Sequence, residues 1–138
     1  GEYEVKNVMV YGIYHEEDHH TIYRIDADDI RVVHLGLMKK ELPDALIESL
    51  GEVDVLCIPV GGKDTMTPSE AEKVISKIQP RLVVPMAFAV KGIDDTHDAV
   101  DPFLRAIGKK DAITEEKYNI AKKGLPDEDM GVVVLKVT

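Results

Sequence analysis

The sequence predicts an α/β fold built on a mixed sheet, and three observations carry that prediction. Residues 3–35 alternate apolar and polar positions in short runs joined by two-residue turns, the pattern of antiparallel hairpins. Two later runs, 53–60 and 81–88, are almost wholly apolar and β-branched, as in strands buried on both faces. Between and after them stand segments whose apolar residues recur at helical spacing. The order is hairpins first, then a β-α-β-α section, within one domain over 1–138.

The opening hairpin runs through Tyr3 and Val5, turns at Lys6-Asn7 and returns through Val8, Val10 and Gly12. His15-Glu16-Glu17-Asp18-His19-His20 is wholly polar and reads as a loop. A second hairpin pairs Thr21–Asp26 with Ile30–Leu35 around Asp28-Asp29. Pro43 to Leu50 is a short helix, with proline at its start and Gly51 just past its end. After the strand at 53–60, Gly61-Gly62 breaks the run. Thr67, Pro68 and Glu70 then make a capping box for a helix whose inward stripe is Ala71, Val74, Ile75 and Ile78. Arg81–Phe88 is the next strand, and Asp101–Ile107 a helix stopped by Gly108. A weak strand is expected around Tyr118–Ala121, a turn at Gly124-Leu125-Pro126 and a strong last strand at Val132–Val137.

Composition narrows the function classes. A hydrophobic content of 44% supports a packed interior, and no apolar run is long enough to span a bilayer. The net charge of -9 repels a phosphate backbone, and no cluster of aromatic and basic residues offers a stacking platform, so nucleic acid is not the expected partner. No basic-then-apolar leader opens the chain and Cys57 has no second cysteine to pair with, so a reducing, cytoplasmic setting is expected. Cys57 lies in the run Val55-Leu56-Cys57-Ile58 and reads as a small core residue.

Several blocks, taken in order, resemble a known family. They are the hairpin ending in Tyr14-His15, Thr21-Ile22-Tyr23-Arg24-Ile25, Val33-His34-Leu35-Gly36, Asp54 to Gly62 and Val83-Val84-Pro85-Met86. Together they are similar to the second part of metallo-β-lactamase-fold, metal-dependent hydrolases, near the L-ascorbate-6-phosphate lactonase-like branch. The resemblance implies half of an αββα sandwich: a mixed sheet with helices on one face. It also marks departures. The family's first half carries a His-x-His-x-Asp-His loop that has no match here. An aspartate bridging two metals follows the His-Leu-Gly-like block, where this chain has Leu37; a histidine follows the Pro-Met-like block, where it has Ala87. Of the ligand positions in this part, His15 alone is retained. Leucine and alanine have no lone pair to give a dication.

The resemblance therefore implies a degenerate, non-catalytic relative acting as an assembly or ligand-binding module, with no cofactor expected. The competing reading is a Zn- or Mn-dependent hydrolase whose metal-binding first half is absent from this chain. The uncovered sheet face implies a homodimer, or a separate chain supplying that half. His15, His19 and His20 with the acids between them could gather a metal, although a solvated loop is the plainer reading. His34 reads as a partly buried structural histidine in an alternating strand, and His97 as a surface or helix-start residue. Gly61-Gly62 lacks phosphate-loop spacing and reads as a turn leading away from the sheet. Lys39 and Lys40 stand beside the position of the expected metals and could fill a cation's place, or could simply be exposed. His34, Lys39, Lys40, Gly61 and Gly62 make up the possible pocket.

Overall fold

The computed structural model describes residues 1–16, 19–94, 96–109 and 112–136. The hairpins arise as the turn residues require. Strands β1 (Glu2–Val5) and β2 (Val8–His15) meet at Lys6 and Asn7, with φ of 50° and 67°. Strands β3 (His20–Ala27) and β4 (Ile30–His34) meet at Asp28 and Asp29, with φ of 51° and 63°. Two successive positive φ values give the primed turn whose twist matches its flanking strands. The remaining elements are α1 (Asp44–Leu50), β5 (Val55–Pro59), α2 (Pro68–Ile78), β6 (Leu82–Met86), α3 (Asp101–Ala106), β7 (Ile113–Glu115) and β8 (Gly131–Leu135).

The strands join one sheet in the order β1-β2-β3-β4-β5-β6-β8-β7. Pairing is antiparallel from β1 to β4 and parallel beyond, so the sheet is mixed as expected. The capping box predicted for α2 is present: Glu70 N donates to Thr67 Oγ1 at 3.2 Å, and Thr67 N donates to Glu70 Oε1 at 3.0 Å.

Alternation along the strands sorts the core into two layers. Ile22, Val33, Leu35, Leu56, Ile58 and Val83 face the helices and pack with Leu50, Ala71, Val74, Ile75, Phe103 and Leu104. All three helices thus cover one face. On the other face Ile30, Val55, Leu82 and Val133 are buried with Leu125, and Tyr118 packs against them. This face was expected to need a second layer that the chain itself does not supply. Instead, the irregular segment before β8 folds back over its lower end.

Three local expectations are corrected. The polar stretch from His15 to His20 is not all loop: β2 runs to His15, β3 starts at His20, and the two residues pair across the hairpin. Tyr118–Ala121 is not a strand; β7 forms earlier, at Ile113–Glu115, and pairs with β8. The last strand is described to Leu135, and Val137 lies outside the described residues. Cys57 is only half-buried, because its alternation places it on the face away from the helices; burial raises its thiol pKa.

Candidate functional site

One edge of the sheet collects the chemistry-bearing residues. Antiparallel pairing brings the end of β2 and the start of β3 to the level where β4 ends, since His15 pairs with His20 and Tyr23 with His34. Parallel pairing sets the ends of β5 and β6 beside them, with Pro59 level with Met86. Gly61, Gly62 and Ala87 follow directly. All five histidines of the chain therefore stand at or just beyond this edge, His97 arriving on the loop after β6.

His15 is 6% exposed, although nothing in its sequence setting required burial. Neither of its ring nitrogens has a hydrogen-bond partner among the described residues, and the same holds for buried Nε2 of His20. A polar group left unpaired in the interior costs about 1–3 kcal/mol, so two such rings are suited to a ligand. Gly36 provides the space for the His20 ring. It has φ +64°, and a Cβ there would collide with His20 Nε2 and Cε1. His19 is different: its Nδ1 lies 3.1 Å from the Tyr14 hydroxyl.

His34 falls on the opposite face from His15 and His20, by strand alternation. It is more exposed than expected, and its Nδ1 accepts the Gly36 amide at 3.2 Å. Partial burial, then the nearby charge of His20, hold its pKa below the ordinary histidine value.

Across the edge, the loop after β6 folds onto the Gly-Gly turn. Asp98 N donates to Gly61 O at 2.7 Å, and the Asp98 carboxylate hangs over Gly62. A Cβ on Gly61 would strike the Ala87 carbonyl and lie 2.8 Å from His97 Cβ. Gly61 and Gly62 are thus architectural, as their spacing suggested. Ala87 has φ 54°, a left-handed conformation that is uncommon outside glycine and in which histidine is several-fold enriched. The methyl of Ala87 offers no donor atom. Leu37 is 57% exposed, and Lys39 and Lys40 are exposed in the segment leading to α1.

His97 is half-buried, not a free surface residue. Its Nδ1 lies 2.7 Å from Asp94 Oδ2, and the Asp94 carboxyl is lowered to about 2, first by that hydrogen bond. An ionised carboxylate can only accept, so Nδ1 carries the proton and Nε2 is left for other chemistry. The Asp-x-x-His spacing was the available sequence signal for this pair. For His15 and His20 the signal was two histidines flanking a hairpin loop.

Among the described residues, no three histidine, cysteine or acidic side chains gather as a complete metal site. The unpartnered nitrogens of His15 and His20 nonetheless fit a borderline transition metal as two of its ligands. Glu17 and Asp18, between them in sequence, lie outside the described residues.

Comparison with known proteins follows the same line. Residues 1–87 match the family described as the beta-lactamase superfamily domain. A UPF0173 protein of Pyrococcus furiosus is 39% identical over 72 residues, covering 52% of this chain and 30% of that protein. A UPF0173 metal-dependent hydrolase of Thermococcus onnurineus is 37% identical over 68 residues, 48% of this chain and 30% of that protein. The chain thus aligns with under a third of the length of these relatives. In structure, it is similar to a candidate Zn-dependent hydrolase of the metallo-beta-lactamase superfamily from Thermotoga maritima, with TM-score 0.83 and 29% identity. That match covers 99% of this chain and 69% of the other. The last two of these relatives overturn the expectation that no cofactor is involved, because they are described as a metal-dependent and a Zn-dependent hydrolase. No helix among the described residues is long and apolar enough to cross a membrane.

Proposed function

Because the chain belongs to the beta-lactamase superfamily domain family, we propose that it supplies one metal-facing edge of a metal-dependent hydrolase. The observation that carries this reading is the buried imidazole of His15, unpartnered among the described residues, at a position that the family resemblance implies is a ligand. A divalent transition metal held there would supply Lewis acidity, polarising a scissile carbonyl or phosphoryl oxygen and acidifying water. The residues of the chain have separate tasks around it. His15 presents a nitrogen donor, Gly36 keeps the backbone clear of the His20 ring, and Asp94 holds the His97 proton on Nδ1. Leu37 and Ala87 leave those two positions without donors, so the remaining ligands come from other residues or from water.

The test is hydrolysis by Zn- or Mn-loaded protein of chromogenic ester, phosphodiester and sugar-phosphate lactone substrates; the lactone is included because of the likeness to that branch. Activity that depends on metal and falls at least tenfold in His15→Ala supports the reading. Protein that neither retains metal after dialysis nor hydrolyses any of these substrates refutes it.

A second reading, an assembly module, is favoured by one specific observation. Tyr14 and Tyr23 are both about half exposed on the face away from the helices. Paired with a second copy, they would lie within an apolar interface. A salt-insensitive dimer in sedimentation at low micromolar concentration supports it, and a stable monomer refutes it.

A further inference from the structure

We infer that His20 is a metal ligand, forming with His15 a mononuclear two-imidazole site across the β2–β3 hairpin. This inference rests on the metal-dependent reading above and deepens it. The two residues are direct cross-strand partners, so their side chains leave the same face about 5 Å apart, within reach of one ion. The buried side-chain atoms without a hydrogen-bond partner among the described residues are His15 Nδ1, His15 Nε2 and His20 Nε2. Nowhere else in the described interior is such a group left unsatisfied, and these three lie together.

The geometry around His20 is specific. Its Nε2 points over Gly36, where the left-handed backbone and the missing side chain leave room that no other residue type would. The adjacent Leu37 points to solvent, so the turn after β4 offers space but no oxygen donor. The hairpin therefore contributes the second donor that the turn lacks.

Donor type sets the ion. Two neutral imidazoles bring no negative charge, and with no bridging carboxylate among the described residues a second dication would meet unscreened repulsion. The site should take one borderline ion such as Zn²⁺, Co²⁺ or Ni²⁺, and should discriminate against Mg²⁺ and Ca²⁺, which prefer oxygen. Its open positions would be filled by water or by residues from elsewhere.

Titration of the full chain with Zn²⁺ by calorimetry, and with Co²⁺ by visible absorption, tests this directly. The expected result is one ion per chain, with affinity lowered about tenfold or more in His20→Ala and in His15→Ala. His19→Ala should titrate as the parent does, because that ring bonds to Tyr14. His20→Gln, which keeps a polar side chain, and melting of each metal-free variant separate lost ligation from lost folding. Ring-nitrogen NMR on the unmodified chain needs no variant: Zn²⁺ should shift the His20 ring signals and leave those of His19 in place. Two outcomes overturn the inference while leaving the functional reading intact. In one, His20→Ala binds like the parent while His15→Ala does not; in the other, His20 signals stay unmoved while the His15 ring responds. Absence of Zn²⁺ binding by the unmodified chain overturns both.

Discussion

Replacing Gly61 by alanine should cost far more than a surface glycine change, and the cost can be worked from its neighbours. The new methyl would strike the Ala87 carbonyl, which is backbone and cannot rotate away, and would press on His97 Cβ at 2.8 Å. Relief requires parting the ends of β5 and β6. That strains the bond from Val60 N to Met86 O at 3.0 Å and the bond from Asp98 N to Gly61 O at 2.7 Å. Overpacking of this kind costs about 1–3 kcal/mol, and each weakened bond adds roughly 0.5–1.5 kcal/mol. Alanine recovers about 0.4–1 kcal/mol by restricting the unfolded chain, leaving a net loss of roughly 1–5.5 kcal/mol. For a domain of this size, that lowers the melting temperature by roughly 3–20 °C. Gly124→Ala is the control, since a methyl there meets nothing within 4 Å and φ is not positive. Scanning calorimetry or thermal circular dichroism reads both variants. If Gly61→Ala melts within 2 °C or so of the parent, the close packing of the 87–98 loop on the Gly-Gly turn is wrong.

Other expected outcomes follow from the same contacts. Asp54 is buried and accepts the Arg31 amide at 2.8 Å and the Lys122 ammonium at 3.1 Å, tying β4, β5 and the tail segment together. Asp54→Ala should cost about 2–4 kcal/mol in chemical denaturation, chiefly from the orphaned amide. Lys122→Ala, removing only the half-exposed partner, should cost under about 1 kcal/mol; equal losses would refute this division. Thr67→Ala removes the capping oxygen of α2 and should cost about 1 kcal/mol, with no change in metal binding. Asp94 and Asp26 set the acid limb. The Asp94 carboxyl is lowered to about 2, and Asp26 is lowered net, because hydrogen bonds from Arg24 and Arg31 outweigh the upward push of burial. A depressed carboxyl stabilises the fold above the ordinary value of 3.8 and loses that contribution as pH falls toward the folded value. Melting temperature should therefore hold near neutrality and drop below about pH 4, less steeply in Asp94→Asn than in the parent; identical profiles would count against the Asp94–His97 bond.

The fold was legible where one local signal dominated. Asn7 and Asp28-Asp29 announced their turns, because few residues accept two positive φ values in succession. Thr67-Pro68-Ser69-Glu70 announced α2 through an arrangement that satisfies helix-end amides. The uninterrupted apolar runs of β5 and β6 announced burial on both sides, and both sides are covered where those strands begin. What covers the second side was not legible. Tyr118 and Leu125 sit in a polar stretch without periodicity, and their value lies in contacts with Ile30, Val55 and Val133, which are distant in sequence. Ile113–Glu115 failed for a related reason: three exposed residues become a strand only because the last strand offers an edge.

The site was legible only in part. Leu37 and Ala87 stand out because the family resemblance implies an acid and a histidine at those positions, and Ala87 takes a left-handed backbone conformation. His20 and His97 carried only weak signals, a histidine beside a hairpin loop and an Asp-x-x-His spacing. Polar residues at a hairpin end are usually solvated, so composition alone favoured a loop at 15–20. What reverses that reading is register: the pairing of His15 with His20 puts both rings on the helix-covered face, next to Ile13 and Ile22 on the same two strands. A one-residue slip would have sent both to the opposite face, with Tyr14 and Tyr23 taking their place. The core residues at 13 and 22 fix that register, because Ile22 is fully buried and cannot change sides without opening the core. Packing that serves stability thus dictates where the two imidazoles point. Their unpartnered nitrogens are what that constraint leaves available for a metal.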